Sequence, residues 1–321
     1  MKLIVQIPCL NEEETLADVL ADIPESIPGI DVIETLIVDD GSSDGTVDLA
    51  YRLDVDHIVR HPRNMGLAKA FESGIEEALR QGADIIVNTD GDHQYPGSAI
   101  PELVELVRSG QADIALGDRQ VQSIEHFSPI KKFFQAAGNI VVRSVSGTDI
   151  NDAVSGFRAY SREAALRLNI LTQFSYTLDT IIQAGNQGMV IKSVPIVTNR
   201  PTRPSRLAKS LWHFVKAQAA TILRLYVFYE PLRTFTYIAS PLLLAGLILL
   251  ARFFWAYFTG DGDRFVQSVS IGIGLLVVGM LIFLVGVQAD IVNKHRMLTQ
   301  ETLYRLKKME LEGEKRVESR E

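Results

Sequence analysis

Two uncharged apolar stretches near the carboxyl end constrain this chain more than any other feature. Thr234 to Ala251 reads TFTYIASPLLLAGLILLA, and Val269 to Val287 reads VSIGIGLLVVGMLIFLVGV. Each approaches the ~20 apolar residues that cross a bilayer core of ~30 Å. Arg252 stands at one end of the first stretch, where its stem can snorkel to head groups. Phe253, Phe254, Trp255, Tyr257 and Phe258 crowd the same end, as an interfacial belt would. A pair of buried core helices has the same composition and is the competing reading.

The cations set an expected topology. Arg200, Arg203, Arg206, Lys209, Lys216, Arg224 and Arg233 precede the first stretch, and Lys294, Arg296, Arg305, Lys307 and Lys308 follow the second. The connector TGDGDRFVQ carries only Arg264 beside two aspartates. The positive-inside rule then places both termini in the cytoplasm, with a short external loop, in an inner or plasma membrane. The amino terminus, MKLIVQIPCLNEEE, is acidic too early for a signal peptide and reads as a first strand. The single cysteine, Cys9, fits a reducing compartment. A net charge of −7 gives no reason to expect nucleic-acid binding. Gly272, Gly274 and Gly279 offer small faces for helix packing, which leaves a homo-oligomer open.

Before the apolar stretches, short apolar runs alternate with helical patterns. KLIVQIP, ETLIVDDGS, DHIVRH, DIIVNTDGD and ADIALGDR read as buried strands ending in polar residues. ETLADVLADI, LAKAFESGIEEALR and IPELVELVRSG repeat apolar residues with the helical period. This order predicts an α/β fold with a mostly parallel sheet, whose ligands bind beyond the carboxyl ends of the strands. No G-x-G-x-x-G follows the first strand, and GSSDGT lacks the Gly-Lys-Ser/Thr of a P-loop. Residues 206–229, where cations alternate with Leu, Trp, Phe and Tyr, predict a helix lying on the membrane surface. From Gln300 onward the dense mixture of charges predicts a solvated helix or disorder.

The chemistry concentrates after the strands. Asp90-Gly91-Asp92-His93-Gln94 follows DIIVN directly. Two carboxylates separated by Gly91 can converge on a hard cation, with Gln94 adding a neutral oxygen. Mg²⁺ takes such a sparse set together with phosphate oxygens and water, and Mn²⁺ accepts the same ligands. An acidic strand-to-turn corner is the plainer reading of the same residues, and His93 reads as a bystander. Asp39-Asp40-Gly41-Ser42-Ser43-Asp44-Gly45-Thr46 ends the second strand. An acidic residue there can accept from a ribose hydroxyl or a base N–H, the glycines allow a tight turn, and Asp44 can cap the next helix.

The I-P-x-x-N-E, V-D-D-G-S-x-D-G-T and D-G-D-x-Q motifs, in this order, resemble the family-two GT-A glycosyltransferases. Asp152-Ala153-Val154-Ser155-Gly156-Phe157-Arg158 and the trailing helices narrow the resemblance to the polyprenyl-phosphate (dolichyl-phosphate) sugar synthases. It covers roughly residues 1–210. It implies a GT-A nucleotide-binding sandwich over 1–205, an amphipathic juxtamembrane region over 206–232, two transmembrane helices over 233–290 and a charged cytoplasmic tail over 291–321. It also implies that Pro8, Leu10, Glu12, Val38 and Asp40 line the base and ribose. Asp90, Asp92 and Gln94 would hold the metal and the donor diphosphate, and Arg119 would face the donor or acceptor phosphate. The family's basic stretch ending in Ser-Lys corresponds to Arg200 through Arg206, where Arg206 replaces the lysine and Arg203 is displaced by one position. Arginine forks bind phosphate oxygens in pairs, so Arg200, Arg203 and Arg206 are expected to grip phosphate at the membrane face.

The expected reaction is in-line attack of a polyprenyl phosphate on the anomeric carbon of a UDP- or GDP-sugar, with inversion. Asp152 would orient the acceptor or a sugar hydroxyl without acting as base. A processive polysaccharide synthase shares the amino-terminal motifs but uses a Q-x-x-R-W element. Neither Trp212 nor Trp255 stands in that context. A nucleotidyltransferase should show a glycine- and basic-rich loop where Glu12-Glu13-Glu14 stands, and a non-catalytic scaffold has no need of the intact acidic motif.

Overall fold

The computed structural model describes residues 1–120, 129–170, 176–199, 224, 227–260 and 265–318. The chain forms two compact units, one of residues 1–214 together with Glu301 onward, the other of 215–300.

The first unit is built on a seven-stranded sheet of order β3-β2-β1-β4-β6-β5-β7. The five expected strands are β1 (Lys2–Cys9), β2 (Val32–Asp39), β3 (His57–Arg60), β4 (Ile85–Asn88) and β5 (Ile114–Asp118). Two more, β6 (Arg158–Ser161) and β7 (Ile191–Pro195), complete it. All neighbouring pairs run parallel except those of β6, which lies antiparallel to both β4 and β5. Among the described residues up to 199, seven helices accompany the strands: α1 (Leu16–Ala21), α2 (Thr46–Arg52), α3 (Leu67–Arg80), α4 (Ile100–Arg108), α5 (Pro129–Ser146), α6 (Arg162–Arg167) and α7 (Tyr176–Asn186).

Strand periodicity sorts the core into two layers. Leu3, Val5, Ile7 and Cys9 of β1 point to the face covered by α1, α2 and α4. Ile4 of β1, with Leu36, Val38 and Ile86, points to the face covered by α3, α6 and α7. Both faces being covered, β1 and β4 can be apolar almost throughout, as buried parallel strands are. Gln6 is the exception on β1. It is fully buried, and its Nε2 donates to Asn88 Oδ1 at 2.9 Å.

The segment from Glu301 belongs to this unit and is helical, with one face docked. Tyr304 is buried among the core residues beside α6, and Leu311, seven residues on, packs against the same cluster. The Tyr304 hydroxyl donates to Glu163 Oε1 at 2.7 Å, and the Arg167 guanidinium lies 4.1 Å from its ring centroid. Of the two expectations for this tail, a solvated helix or disorder, the helix is what forms, mostly exposed but with Tyr304 and Leu311 docked. The charges flank a narrow apolar stripe that composition alone conceals.

The second unit contains α8 (Pro231–Thr259) and most of α9 (Val266–Glu318), both long and apolar enough to cross a membrane. Only 11% and 17% of their most apolar windows is buried, which disfavours the alternative of a soluble core. A Cβ added at Gly246 would lie 2.9 Å from the Gly272 carbonyl, and one at Gly279 would lie 2.8 Å from Leu243. These small residues therefore let α8 and α9 approach each other within the chain. Gly274 meets nothing within 4 Å. Arg252 places its guanidinium 4.5 Å from the Phe265 ring centroid. Most of the expected surface helix over 206–229 lies outside the described residues, as do Arg200, Arg203 and Arg206.

Candidate active site

The carboxyl ends of β1, β2, β4 and β5 open onto one edge of the sheet, and β6 brings its leading end there because it runs the opposite way. Pro8 and Val38 pair across β1 and β2. Gly91 passes so close to the end of β1 that a Cβ would meet Glu12 Cγ at 3.1 Å and the Pro8 carbonyl at 3.4 Å. Thr15 Oγ1 donates to the Gly91 carbonyl at 2.6 Å, tying the acidic turn to the start of α1. Leu10 and Glu12 stand on the connection from β1 to α1.

Asp90 and Asp92 are the electrostatic centre of this edge. Asp92 Oδ1 accepts from the Gln94 amide at 3.1 Å, which closes the turn. Among the described residues the Asp90 carboxylate accepts no hydrogen bond, although the Asp90 Oδ1 atom would lie only 3.1 Å from a Cβ at Gly156. Burial first, and then the charges of Asp92 and Glu12, push the Asp90 carboxyl up to about 7, against the opposing pull of Arg119 and Arg158. A carboxylate held at that cost, without a donor, is suited to a cation. No group of three His, Cys, Asp or Glu side chains that could hold a metal occurs among the described residues. The corner instead offers two carboxylates and the Gln94 amide, the set that Mg²⁺ or Mn²⁺ completes with water and phosphate oxygens.

This corner gives a pH prediction with a defined sign. A carboxyl whose folded pKa is raised contributes stability at acid pH and loses it as pH rises through the folded value. Thermal stability of the metal-free protein is therefore expected to fall between about pH 4, the ordinary carboxyl value, and about pH 7, and Mg²⁺ or Mn²⁺ should restore it more at the upper end. Thermal scans with EDTA or added cation check this. A cation response that is equal at both pH values would contradict it.

Arg119 and Asp152 are joined directly. Arg119 Nε donates to Asp152 Oδ2 at 2.7 Å and Nη2 to Oδ1 at 2.8 Å, while the Arg119 amide reaches Oδ2 at 3.2 Å. The fork that could grip a phosphate is thus engaged by a carboxylate that is itself buried. Asp152 in turn has both oxygens committed to holding that guanidinium. Asp40 is committed as well. Its Oδ1 lies 2.8 Å from His61 Nδ1 and accepts from the Met65 amide at 2.8 Å, and its Oδ2 accepts from the Gly66 amide at 2.8 Å. His61 Nε2 continues to Ser73 Oγ at 3.0 Å.

Several residues around the site were given no role on sequence grounds. Arg158, fully buried, donates from Nε to the Ser155 carbonyl, from Nη2 to the Ala153 carbonyl and from Nη1 to Thr180 Oγ1, at 2.7–2.9 Å. Asn88 Nδ2 donates to the Gly156 carbonyl at 2.8 Å, and the Gly156 amide donates to the Tyr95 hydroxyl at 3.2 Å. Burial pushes Tyr95 up to about 12, so the phenol stays protonated. Its ring stacks on Phe157 with centroids 5.1 Å apart. The loop 152–156 is thereby pinned at nearly every residue. A polar residue ending an apolar run, as Asn88 does, is the signal that sequence carried.

An α/β sandwich with a mostly parallel sheet, one antiparallel strand and paired carboxylates at the carboxyl edge defines a GT-A-like fold. Solved structures agree: glucosyl-3-phosphoglycerate synthase from Mycobacterium tuberculosis, in complex with Mn²⁺, uridine diphosphate and glucosyl-3-phosphoglycerate, superimposes with a TM-score of 0.54 at 19% identity, over 70% of this chain and 78% of that one. The profile of glycosyl transferase family 2 matches residues 4–168, and the chain belongs to that family. It is a glycosyltransferase. Among curated relatives, polyprenol monophosphomannose synthase of Mycolicibacterium smegmatis is 29% identical over 219 residues, covering 64% of this chain and 81% of the relative. Dolichol-phosphate mannosyltransferase of Pyrococcus furiosus is 34% identical over 170 residues, covering 51% of this chain and 47% of the relative.

Proposed function

We propose that this enzyme transfers a sugar from a nucleoside-diphosphate donor to polyprenyl phosphate, with inversion at the anomeric carbon. The observation that carries this reading is the Asp90 carboxylate, half-buried beside Asp92 with no donor of its own among the described residues. The names of the relatives supply the acceptor class. A divalent cation held there by Asp90, Asp92 and Gln94 would neutralise charge on the departing nucleoside diphosphate.

Pro8, Leu10 and Glu12 form the wall for base and ribose in this reading, to which Val38, its side chain packed in the core against α3, adds only backbone. Asp40 serves that wall indirectly by fixing the loop that ends at Gly66. Arg119 offers positive charge to a donor or acceptor phosphate, oriented by Asp152. The acceptor needs no strong base, because a phosphate monoester with a second pKa of ~6 is already largely dianionic at neutral pH. Positioning and charge neutralisation then supply most of the acceleration. Arg200, Arg203 and Arg206 receive the acceptor phosphate. Those three lie outside the described residues; Asn199, which precedes them in the chain, is bonded to the carbonyls of residues 93 and 94.

Membrane anchoring by α8 and α9, with the catalytic unit on the cytoplasmic side, brings the enzyme to its lipid substrate. A panel of UDP- and GDP-sugars assayed with one polyprenyl phosphate and purified protein tests the reading. Cation-dependent labelling of the lipid is expected with one donor. No labelling with any donor, in the presence of Mg²⁺ or Mn²⁺, would overturn it.

A further inference from the structure

The turn that carries the two carboxylates is held in an unfavourable backbone conformation, and one distant residue clasps it. His93 has φ +55°, in the left-handed region that disfavours a residue carrying a side chain. Such a conformation persists only where its surroundings fix it. Asp92 closes the turn from within, through Gln94. Asp22, at the end of α1, approaches His93 Nε2 at 3.6 Å and accepts from the Gly97 amide. The remaining restraint comes from the segment beyond β7. Asn199 Nδ2 donates to the His93 carbonyl at 3.0 Å, and the Asn199 amide donates to the Gln94 carbonyl at 2.9 Å.

We infer that Asn199 is a positioning residue, setting the turn so that Asp92 and Gln94 face the cation and diphosphate. The inference rests on the proposed cation site and deepens it. Two donors from one residue onto two successive carbonyls fix both the position and the rotation of that peptide pair. Neither bond touches a carboxylate, so Asn199 contributes nothing to binding directly. Its effect passes through the backbone, as partners behind metal ligands commonly act.

The variants are N199D, which keeps the side-chain size but replaces the Nδ2 donor by a carboxylate oxygen facing a carbonyl, and N199A. The probes are Mn²⁺ with UDP and Mn²⁺ with GDP, titrated calorimetrically into the full-length protein. Affinity for the productive pair is expected to fall about tenfold or more in N199D, within the 10–100-fold range typical of such outer partners. Binding of the same nucleotide in EDTA should be unchanged. Hydrogen exchange of the amides at His93–Tyr95 in the metal-free protein should be faster in both variants. Wild-type exchange in both variants would overturn the inference, whatever the nucleotide results. So would a loss of affinity that is equal with and without metal, because that is a general structural defect. If the wild-type protein binds neither nucleotide in a metal-dependent way, the cation site itself fails, and the exchange data alone decide whether Asn199 sets the turn.

Discussion

Asp90→Asn is expected to make this protein more stable and nearly inactive. The carboxylate is desolvated beside Asp92, and its pKa is pushed up to about 7 for that reason. Above that pH the folded chain carries an ill-solvated charge, and a neutral isostere removes the cost. The melting temperature of metal-free D90N at about pH 8 should therefore exceed that of wild type, with the difference shrinking toward acid pH. Turnover should fall by at least about 10³-fold, or about 4 kcal/mol of transition-state stabilisation, since a cation can no longer be held against the diphosphate. Asp92→Asn should lose activity similarly while preserving the turn, because an amide oxygen can still accept from the Gln94 amide. Opposite signs for stability and activity identify groups retained for chemistry rather than folding. Wild-type turnover in D90N would remove the acidic corner from the reaction.

Arg158→Met should carry the largest loss of stability of any single change at the site. The guanidinium is fully buried, and its hydrogen bonds run to two loop carbonyls and one hydroxyl. Methionine fills part of the space and bonds none of them. Each stranded buried acceptor costs ~1–3 kcal/mol, which makes roughly 3–5 kcal/mol a reasonable total. Arg158→Lys retains one donor group and should recover only part of this, for lack of the fork. Thermal unfolding of the detergent-solubilised protein measures both. The folded fraction of either variant should also turn over slowly, because the loop that Arg158 holds begins at Asp152, the partner of Arg119. A melting temperature within a degree or two of wild type would show that the carbonyls find other partners.

The parts of the fold legible in the sequence share a cause. Strands β1, β2, β4 and β5 carry apolar runs, because buried parallel strands tolerate little else, and β2, β4 and β5 end in Asp or Asn. β6 escaped notice because it is only RAYS, four residues beginning with an arginine whose burial depends on contacts the sequence does not announce. β7 escaped because it is a half-exposed edge, IKSVP, whose apolar positions are too few to stand out. At the site, the carboxylates of Asp90 and Asp92 are visible because they sit together on a short turn. Their supports come from far along the chain. Asn88 reaches Gly156, Arg119 reaches Asp152 and Asn199 reaches His93, and no local pattern encodes those pairs. Asp40 shows the limit of motif reading. The motif marks it as a lining residue, whereas its oxygens are engaged by His61 and two backbone amides.

The placement of Tyr304 bears on how this enzyme can be handled. Cutting the chain ahead of α8 to obtain a soluble catalytic fragment would discard the hydrophobic anchor and, with it, a side chain that belongs to the core beside α6. The shortened protein would present bare apolar surface around Leu166 and Leu168 and leave Glu163 without its phenol, inviting aggregation. A soluble version would keep its core intact if a flexible tether replaced residues 231–300 and the stretch from Glu301 through Leu311 were retained.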